Sequence, residues 1–297
     1  MKTSSVIAVA SGKGGTGKTL VATNLARVLG DRAQIIDCDV EEPNVHLFLR
    51  PTVETITPFT LPVPEVDLSK CSFCGRCGDV CQYKAIVVVG KQVLTFRELC
   101  HGCGACSLVC PEGAIREQPR LVGVLEEGRF DGALYAAGRL RIGEPMAAPL
   151  IKAVRRLARD GRTVILDAPP GTSCPVVASL KGVDFCLLVT EPTPFGINDL
   201  MLALEVVEYL GLPHALVINR CDLSNGELEE ICKRRGIETL MTLPQDRTIA
   251  EAYSRGQLIV ESHPPYRKSF ESLAKDLLLM VERNRGKGRG NLLGKNP

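Results

Sequence analysis

Residues 11–19 read Ser11-Gly12-Lys13-Gly14-Gly15-Thr16-Gly17-Lys18-Thr19. A short apolar run, Val6 to Ala10, precedes them, and an amphipathic helical pattern, Leu20 to Leu29, follows. Gly12 to Thr19 match G-x-x-x-x-G-K-[ST] in the strand, loop and helix order that this motif requires. The glycines let several backbone N–H groups turn towards one anion, and the start of the helix adds partial positive charge. The stretch therefore predicts a phosphate-binding loop.

The last two residues of this loop carry the side chains that a triphosphate needs. Lys18 is expected to neutralise the β- and γ-phosphates, and the Thr19 hydroxyl is expected to hold Mg²⁺. The alternative is a glycine-rich turn that binds nothing. The strand before, the helix after and the Lys-Thr pair in register favour binding of a nucleotide with Mg²⁺.

Bulk composition is that of a globular protein with room for about two domains. The 297 residues are 45% hydrophobic and 24% charged, with a net charge of +2. That balance gives no electrostatic reason to expect nucleic acid or a membrane surface as the main partner. The apolar runs are strand-sized, which predicts no transmembrane helix, and glycines with Lys13 end the first run too early for a signal peptide. A cytoplasmic location is the resulting expectation.

Buried strands alternate with helices over most of the chain. Apolar, β-branched runs at 33–37, 163–167, 185–190 and 215–219 are separated by helical patterns. Near-continuous apolar strands of this kind predict a parallel sheet covered on both faces. The segment Pro51 to Asp67 holds four prolines and is expected to be an extended linker.

The 13 cysteines are many for a chain expected to be cytoplasmic, and their odd number argues for metal ligation over disulfides. Eight of them form two runs with the spacing C-x2-C-x2-C-x3-C, offset by 29 residues. These are Cys71, Cys74, Cys77 and Cys81, then Cys100, Cys103, Cys106 and Cys110. Two short β-runs around a turn lie between them.

This spacing suits iron–sulfur clusters better than zinc. Three cysteines at two-residue gaps can wrap one corner of a cubane, whose irons each need a different sulfur. Paired C-x-x-C motifs also make tetrahedral zinc sites, but zinc has no use for three cysteines in seven residues twice over.

The segment resembles a bacterial two-cluster ferredoxin, with Gln82 in place of the proline usual after the fourth cysteine. In such proteins the fourth cysteine of each run ligates the other cluster. The resemblance therefore implies two [4Fe–4S] clusters. Their ligand sets would be Cys71, Cys74, Cys77 and Cys110 for one, and Cys100, Cys103, Cys106 and Cys81 for the other.

The run K-G-G-T-G-K-T resembles the deviant P-loop of the MinD/Mrp/ParA family, which includes the nitrogenase iron protein. In that family the early lysine reaches the partner's phosphates across a nucleotide-sandwich dimer. The resemblance gives this role to Lys13 and implies a homodimer on ATP. An extra cation in the loop is electrostatically sensible if it meets negative charge in such an assembly.

Further site residues follow from the same resemblance. Asp39 matches the first switch aspartate, which positions or activates the attacking water, although Asp37 could share that work. Asp167, followed by Pro-Pro-Gly, matches the aspartate that holds Mg²⁺ through water, and Gly171 would sense the γ-phosphate.

Base recognition is also a matter of resemblance. Asn219, Pro244 and Asp246 correspond to adenine-contacting positions, which favours ATP over GTP. Asn219 could equally satisfy backbone groups at the end of its strand.

Together these features predict an α/β protein with a mostly parallel, doubly wound P-loop sheet. The ATPase domain would comprise residues 1–60 and 122–297, and residues 61–121 would form an inserted ferredoxin-like α+β domain. Three functions stay open. The favoured one is an ATPase whose nucleotide state gates electron transfer to a protein partner. The others are a positioning switch with structural or redox-sensing clusters, and an iron–sulfur cluster carrier.

Overall fold

The computed structural model describes residues 5–290 of the chain, with side chains up to residue 285. Within that range the strands are β1 (Ser5–Ala10), β2 (Ala33–Asp37), β3 (Thr52–Val66), β4 (Ile86–Val89), β5 (Gln92–Thr95), β6 (Ile115–Phe130), β7 (Ala133–Leu140), β8 (Thr163–Asp167), β9 (Phe185–Thr190), β10 (His214–Asn219) and β11 (Thr239–Leu243). The helices are α1 (Lys18–Leu29), α2 (Val45–Leu49), α3 (Arg76–Val80), α4 (Ala105–Leu108), α5 (Ala148–Arg155), α6 (Cys174–Leu180), α7 (Pro194–Tyr209), α8 (Glu227–Arg235), α9 (Arg247–Ser254), α10 (Ile259–Ser262) and α11 (Pro264–Gly290).

One large sheet organises the molecule, with the strand order β11-β10-β9-β1-β8-β2-β7-β6-β3. Neighbouring strands from β11 to β7 are parallel, and β6 and β3 add an antiparallel edge. Apolar side chains of the parallel strands are buried in two large clusters, one on each face. Burial on both faces explains the near-continuous apolar runs. The prediction of an α/β fold with a mostly parallel sheet is confirmed.

The proline-rich segment is not a linker, and that prediction was wrong. Its residues form β3, which pairs with β6 along its whole length. Pro58, Pro62 and Pro64 are tolerated because β3 lies at the edge of the sheet, where one side of the strand has no ladder to complete. The segment is extended, as expected, but it is a structural strand.

The two cysteine runs are attached to the sheet through β3 and β6. Val66 at the end of β3 pairs with Ile115 at the start of β6, so the ribbon runs on into the cysteine region. The hairpin β4–β5 and the short helices α3 and α4 complete that region. The expected boundaries after residues 60 and 121 fall inside these continuous strands, and the division into domains stays a prediction.

Carboxyl ends of the central strands meet at one edge of the sheet. Asp167 is in register with Val9 of β1 and with Asp37 of β2. Polar residues that end these strands are therefore neighbours, which is where open parallel sheets bind ligands. Across the described range, no helix is both long and apolar enough to span a bilayer.

Candidate functional site

The loop after β1 takes its path from its glycines. Gly15 and Gly17 have φ values of 81° and 95°, which a residue with a Cβ rarely adopts. Gly12 packs against α7 so closely that an added Cβ would lie 2.0 Å from the backbone oxygen of Asp199. The loop then enters α1 at Lys18, so that the start of this helix faces the same space as the loop.

Asp167, the last residue of β8, holds both polar side chains at the start of α1. Its Oδ1 accepts a hydrogen bond from Lys18 Nζ at 3.0 Å, and its Oδ2 accepts one from Thr19 Oγ1 at 2.7 Å. The side chain of Asp167 is fully buried and that of Lys18 nearly so. Charge-assisted hydrogen bonds in a buried setting fix the relative positions of these three groups.

Several acidic groups share this buried field. Burial alone would lower the pKa of Lys18. The charge and hydrogen bond of Asp167, with smaller contributions from Asp39 and Asp37, outweigh burial, so that the pKa is raised and the amine stays charged. Burial and the charge of Asp167 raise the pKa of Asp37 to about 8. Burial also raises the pKa of Asp39 to about 6, against the opposing effect of Lys18. The loop lysine therefore faces more carboxylates than it can neutralise alone, which is electrostatically favourable for a divalent cation.

The carboxylate of Asp37 accepts hydrogen bonds from the backbone of the loop after β2. Its Oδ1 accepts a hydrogen bond from the N–H of Asp39, and its Oδ2 accepts from the N–H groups of Asn44 and Val45. Asp39 is half-buried and lines the cavity described below. Of the two aspartates, Asp39 is the one whose side chain reaches the cavity.

A cavity of about 560 Å³ lies over the loop. The predicted residues that line it are Gly14, Gly15, Gly17, Lys18, Thr19, Asp39, Asn219, Pro244 and Asp246. Five other predicted residues of this site are outside its lining: Gly12, Lys13, Thr16, Asp167 and Gly171. The Gly171 N–H instead donates to the carbonyl of Ser11 at 3.0 Å, which ties the loop after β8 to the phosphate-binding loop.

The side-chain amide of Asn219 forms hydrogen bonds with the backbone of the protein. Its Nδ2 donates to the carbonyl of Thr16 at 2.9 Å, and its Oδ1 accepts from the N–H of Arg220 at 3.0 Å. Asp246 caps α9 through the N–H of Thr248 and accepts a hydrogen bond from Tyr266 Oη. Both side chains line the cavity, but each already has protein partners.

Sequence reasoning missed the α9 wall of the cavity. Ile249 and Tyr253, one helical turn apart, line it together with Ala250. The ring of Tyr253 packs against Phe48 of α2, with ring centroids 4.6 Å apart. The i, i+4 apolar pair was the available signal, but the same spacing is shared by any helix that packs on a core.

The eight cysteines of the two runs surround two separate cavities. One is lined by Cys71, Cys74, Cys77 and Cys110, and the other by Cys81, Cys100, Cys103 and Cys106. Each has a volume of about 20 Å³. Each cavity thus takes three thiols from one run and one from the other. We name them the first and second thiol cavities.

Backbone geometry repeats between the two runs. The Cys71 sulfur accepts from the N–H of Phe73, and the Cys100 sulfur accepts from the equivalent N–H of Gly102, both at 3.4 Å. In the same way, Cys81 and Cys110 each accept from an alanine N–H four residues later, at 3.3 Å. The sulfurs of both cavities therefore accept backbone hydrogen bonds at equivalent positions of the repeat.

Around the cavities, no three His, Cys, Asp or Glu side chains of the described part of the chain are grouped so as to hold a single metal ion. The four thiols of each set are spread over the wall of their cavity. His101 stacks on Tyr83 beside the second thiol cavity, with ring centroids 3.5 Å apart. Burial and the charge of Lys152 lower the pKa of His101.

Cys174, at the start of α6, is exposed and is not among the lining residues of either thiol cavity. It follows the loop that contains Gly171. No role is assigned to it.

The strand, glycine-rich loop and helix, with Lys18, Thr19 and a strand-end aspartate beside a cavity, define a P-loop nucleotide-binding protein. The CobQ/CobB/MinD/ParA nucleotide binding domain matches residues 7–259. The chain belongs to this family and is a P-loop ATPase of the MinD/ParA type. The predicted family is confirmed at this level.

Individual relatives agree with the assignment. An uncharacterized protein of Methanocaldococcus jannaschii is 31% identical over 263 residues, which cover 85% of this chain and 90% of the relative. An iron-sulfur cluster carrier protein of Pyrococcus horikoshii is 26% identical over 315 residues, 95% of this chain and 88% of that protein. Among solved structures, the cell division ATPase MinD of Pyrococcus furiosus is similar with a TM-score of 0.59 at 22% identity, covering 94% and 100% of the two chains. This last likeness shows the shared fold.

Proposed function

We propose that the protein hydrolyses Mg-ATP as a homodimer and couples its nucleotide state to electron transfer through two [4Fe–4S] clusters to a protein partner. The clusters would be held by a ferredoxin-like insert, as in bacterial two-cluster ferredoxins, and the arrangement would be related to that of the nitrogenase iron protein. The single observation that carries the proposal is the sorting of eight cysteines into two four-thiol cavities, three from one run and one from the other.

At the nucleotide side, each residue has a distinct role. Lys18 neutralises the β- and γ-phosphates, while Thr19 and Asp167, already hydrogen-bonded to each other, hold Mg²⁺. Asp39 positions or activates the attacking water. Gly171, whose N–H is bonded to Ser11, moves with the phosphate-binding loop and senses the γ-phosphate.

Lys13 acts in the dimer. Its side chain does not line the cavity of its own chain and is half-exposed, which suits contact with the nucleotide of a partner subunit. Base recognition falls to the rim formed by Asn219, Pro244 and Asp246. Because the amide of Asn219 also holds the loop through Thr16, its contribution to the base contact is partly indirect.

The donor set of each thiol cavity fits a [4Fe–4S] cluster. Four thiolates are the number that such a cluster requires, and N–H donors to the sulfurs are a known means of setting its potential. When bound, the clusters supply one-electron storage. The chain holds them, shields them and sets the charge around them.

The low accessibility of most of the cysteines favours clusters that stay bound over clusters that are passed on to another protein. Of the eight thiols, only those of Cys74 and Cys103 belong to exposed residues, and Cys100 is buried. Release of either cluster would require three less accessible cysteines to dissociate from it. Four backbone N–H groups also hold sulfurs in place.

Transfer of clusters to other proteins is the second candidate, and a specific observation favours it. The relative from Pyrococcus horikoshii, aligned over nearly the whole chain, is named an iron-sulfur cluster carrier protein. A carrier would bind a cluster as substrate at exposed thiols and give it up when the nucleotide changes.

One experiment separates these functions. Anaerobically purified protein is expected to contain about eight irons per chain, and four or fewer would contradict the proposal. A nucleotide coupling of about 1–3 kcal/mol predicts that cluster potentials, followed by potentiometric EPR, differ by roughly 40–130 mV between Mg-ATP and Mg-ADP. Loss of iron to an apo-ferredoxin on addition of Mg-ATP, without a shift in potential, would favour the carrier. Constant potentials with nucleotide-dependent partner binding would favour a switch.

A further inference from the structure

The two thiol cavities are related by the 29-residue repeat, so a difference between equivalent positions marks what is specific to each. The clearest difference concerns a positive charge. Arg120, one of the first residues of β6, is only 8% exposed. The equivalent position of the other half, 29 residues earlier, is Lys91, which lies exposed in the turn between β4 and β5.

Arg120 lies beside the second thiol cavity. It is in register with Leu61 of β3, next to Pro62, which itself lines that cavity. The carbonyl of Pro62 is 4.0 Å from the sulfur of Cys100. Arg120 shares one face of the β3–β6 ribbon with Val63, which packs in a buried cluster with Cys100. Arg120 therefore lies on the side of the ribbon that contacts this thiol set.

The partner of Arg120 comes from outside the cysteine region. Glu144, in the segment between β7 and α5, forms an ion pair with both terminal nitrogens of Arg120, and its side chain is 1% exposed. The Nε–H of Arg120 is buried and has no hydrogen-bond partner. A buried cation with one donor left over is costly unless it stabilises charge nearby.

The same segment borders the loops around the nucleotide site. Ala147 and Ile151, just after Glu144, line a cavity of about 170 Å³ together with Asp39 and Pro170. The segment that begins with Glu144 thus leads into residues that share a cavity with the loops after β2 and β8.

We propose that Arg120, held by Glu144, is the positioning residue that sets the reduction potential of the cluster in the second thiol cavity above that of the first. Each electron added makes a cluster more negative, and a buried guanidinium stabilises that reduced form. This inference rests on the proposed clusters, and it names which of the two responds to the P-loop side of the molecule.

The test is potentiometric EPR on the full chain purified anaerobically, after the iron content has been measured. The signals are assigned with the equivalent ligand variants Cys74→Ser and Cys103→Ser, which perturb the first and second cavity. Arg120→Gln is expected to disfavour reduction of the second cluster about tenfold, a downward shift of about 59 mV for one electron. Lys91→Gln, the matched control, should shift neither cluster, and Arg120→Lys should restore most of the potential.

Glu144→Gln gives a prediction of opposite sign. It leaves the guanidinium without its counter-charge, so the potential of the second cluster should rise. Since single variants of a buried ion pair can fail to fold, Arg120→Gln with Glu144→Gln removes both charges together, and its second cluster should again be harder to reduce than in the natural chain.

Contrary results are equally clear. Equal shifts of both clusters, or no shift in Arg120→Gln with about eight irons still bound, would overturn this inference and leave the proposed function standing. Absence of clusters from the natural chain would instead remove the proposed function, and this inference with it.

Discussion

The P-loop sheet and the cysteine region are stabilised in different ways. The sheet is packed on both faces by large apolar clusters, in which residues such as Leu25, Ile165 and Leu204 are fully buried. The core cluster of the cysteine region holds just Val63, Ala85 and Cys100 among the described residues. Burial of apolar area is sufficient to stabilise the P-loop sheet, but it contributes little to the stability of the cysteine region. We therefore expect the folding of the cysteine region to depend on the proposed clusters.

Removal of iron tests this difference most strongly. We expect chelation to unfold residues 67–114 locally and to leave the parallel sheet intact, because ligand binding there is also folding free energy. A local loss of about 3 kcal/mol corresponds to roughly 100-fold faster amide exchange in that segment. Hydrogen exchange followed by mass spectrometry should show it, with β1 and β8 unchanged as the internal control. Equal protection of the cysteine region in both forms would contradict the comparison.

Lys18→Ala probes the other region. The variant removes the cation that faces the phosphates, so the affinity for Mg-ATP should fall about 100-fold or more, as measured by calorimetry. It also leaves the buried carboxylate of Asp167 without its charge partner, which we expect to lower the free energy of unfolding of the sheet by about 3 kcal/mol. Iron content and cluster absorbance should not change.

Lys13→Ala is the matched control, since it changes a lysine of the same loop that does not line the cavity. It should retain nucleotide binding by the monomer and the stability of the sheet, but lose dimerisation on ATP. Loss of cluster absorbance in Lys18→Ala would show that the two regions do not fold separately.

Much of the P-loop region could be predicted from sequence because its signals are local. The glycines and the Lys18–Thr19 pair fix a loop whose neighbours in sequence are its neighbours in space. The position of Asp167 could also be predicted from the sequence, since an aspartate at the end of a parallel strand lies beside the end of the neighbouring strand. The wall formed by Tyr253 could not be predicted, because Tyr253 packs against Phe48, which lies far away in the chain.

In the cysteine region, spacing predicted the two thiol sets but not how the region is attached. Prolines 58, 62 and 64 argued correctly against a helix. They could not reveal that β3 is an edge strand paired with β6, because pairing depends on residues some 60 positions away. The buried Arg120–Glu144 pair likewise has no local signature, since both residue types are usually exposed.

The pH dependence of hydrolysis tests the buried charges of the P-loop region. Burial raises the pKa of Asp39 to about 6, and its ionised form is the one that can activate or orient water. The value of kcat/KM should therefore rise roughly tenfold from pH 5 to pH 7, as Asp39 loses its proton. Asp39→Asn should be slow and nearly independent of pH over this range. A profile unchanged in Asp39→Asn would assign the titration to another group.

The smallest expected effect compares the two halves of the cysteine region at one backbone position. Lys84 has a φ of 51°, and its equivalent 29 residues later, Gly113, has a φ of 56°. A side chain is strained in this left-handed conformation, and glycine is not. Lys84→Gly should therefore be up to about 1 kcal/mol more stable than Lys84→Ala, a control that also removes the ammonium group but keeps the strain.

Gly113→Ala gives the reverse change at the equivalent position. An added Cβ there meets no atom within 4 Å, so the strain of the backbone alone should destabilise the region by about 1 kcal/mol. The measurement is the urea concentration at which half of the cluster absorbance is lost, under anaerobic conditions. Opposite signs for the two glycine changes mean that one backbone path serves both halves and that the first half tolerates strain which the second avoids. The same sign in both would mean that the clusters, and not the backbone, determine the geometry of these turns.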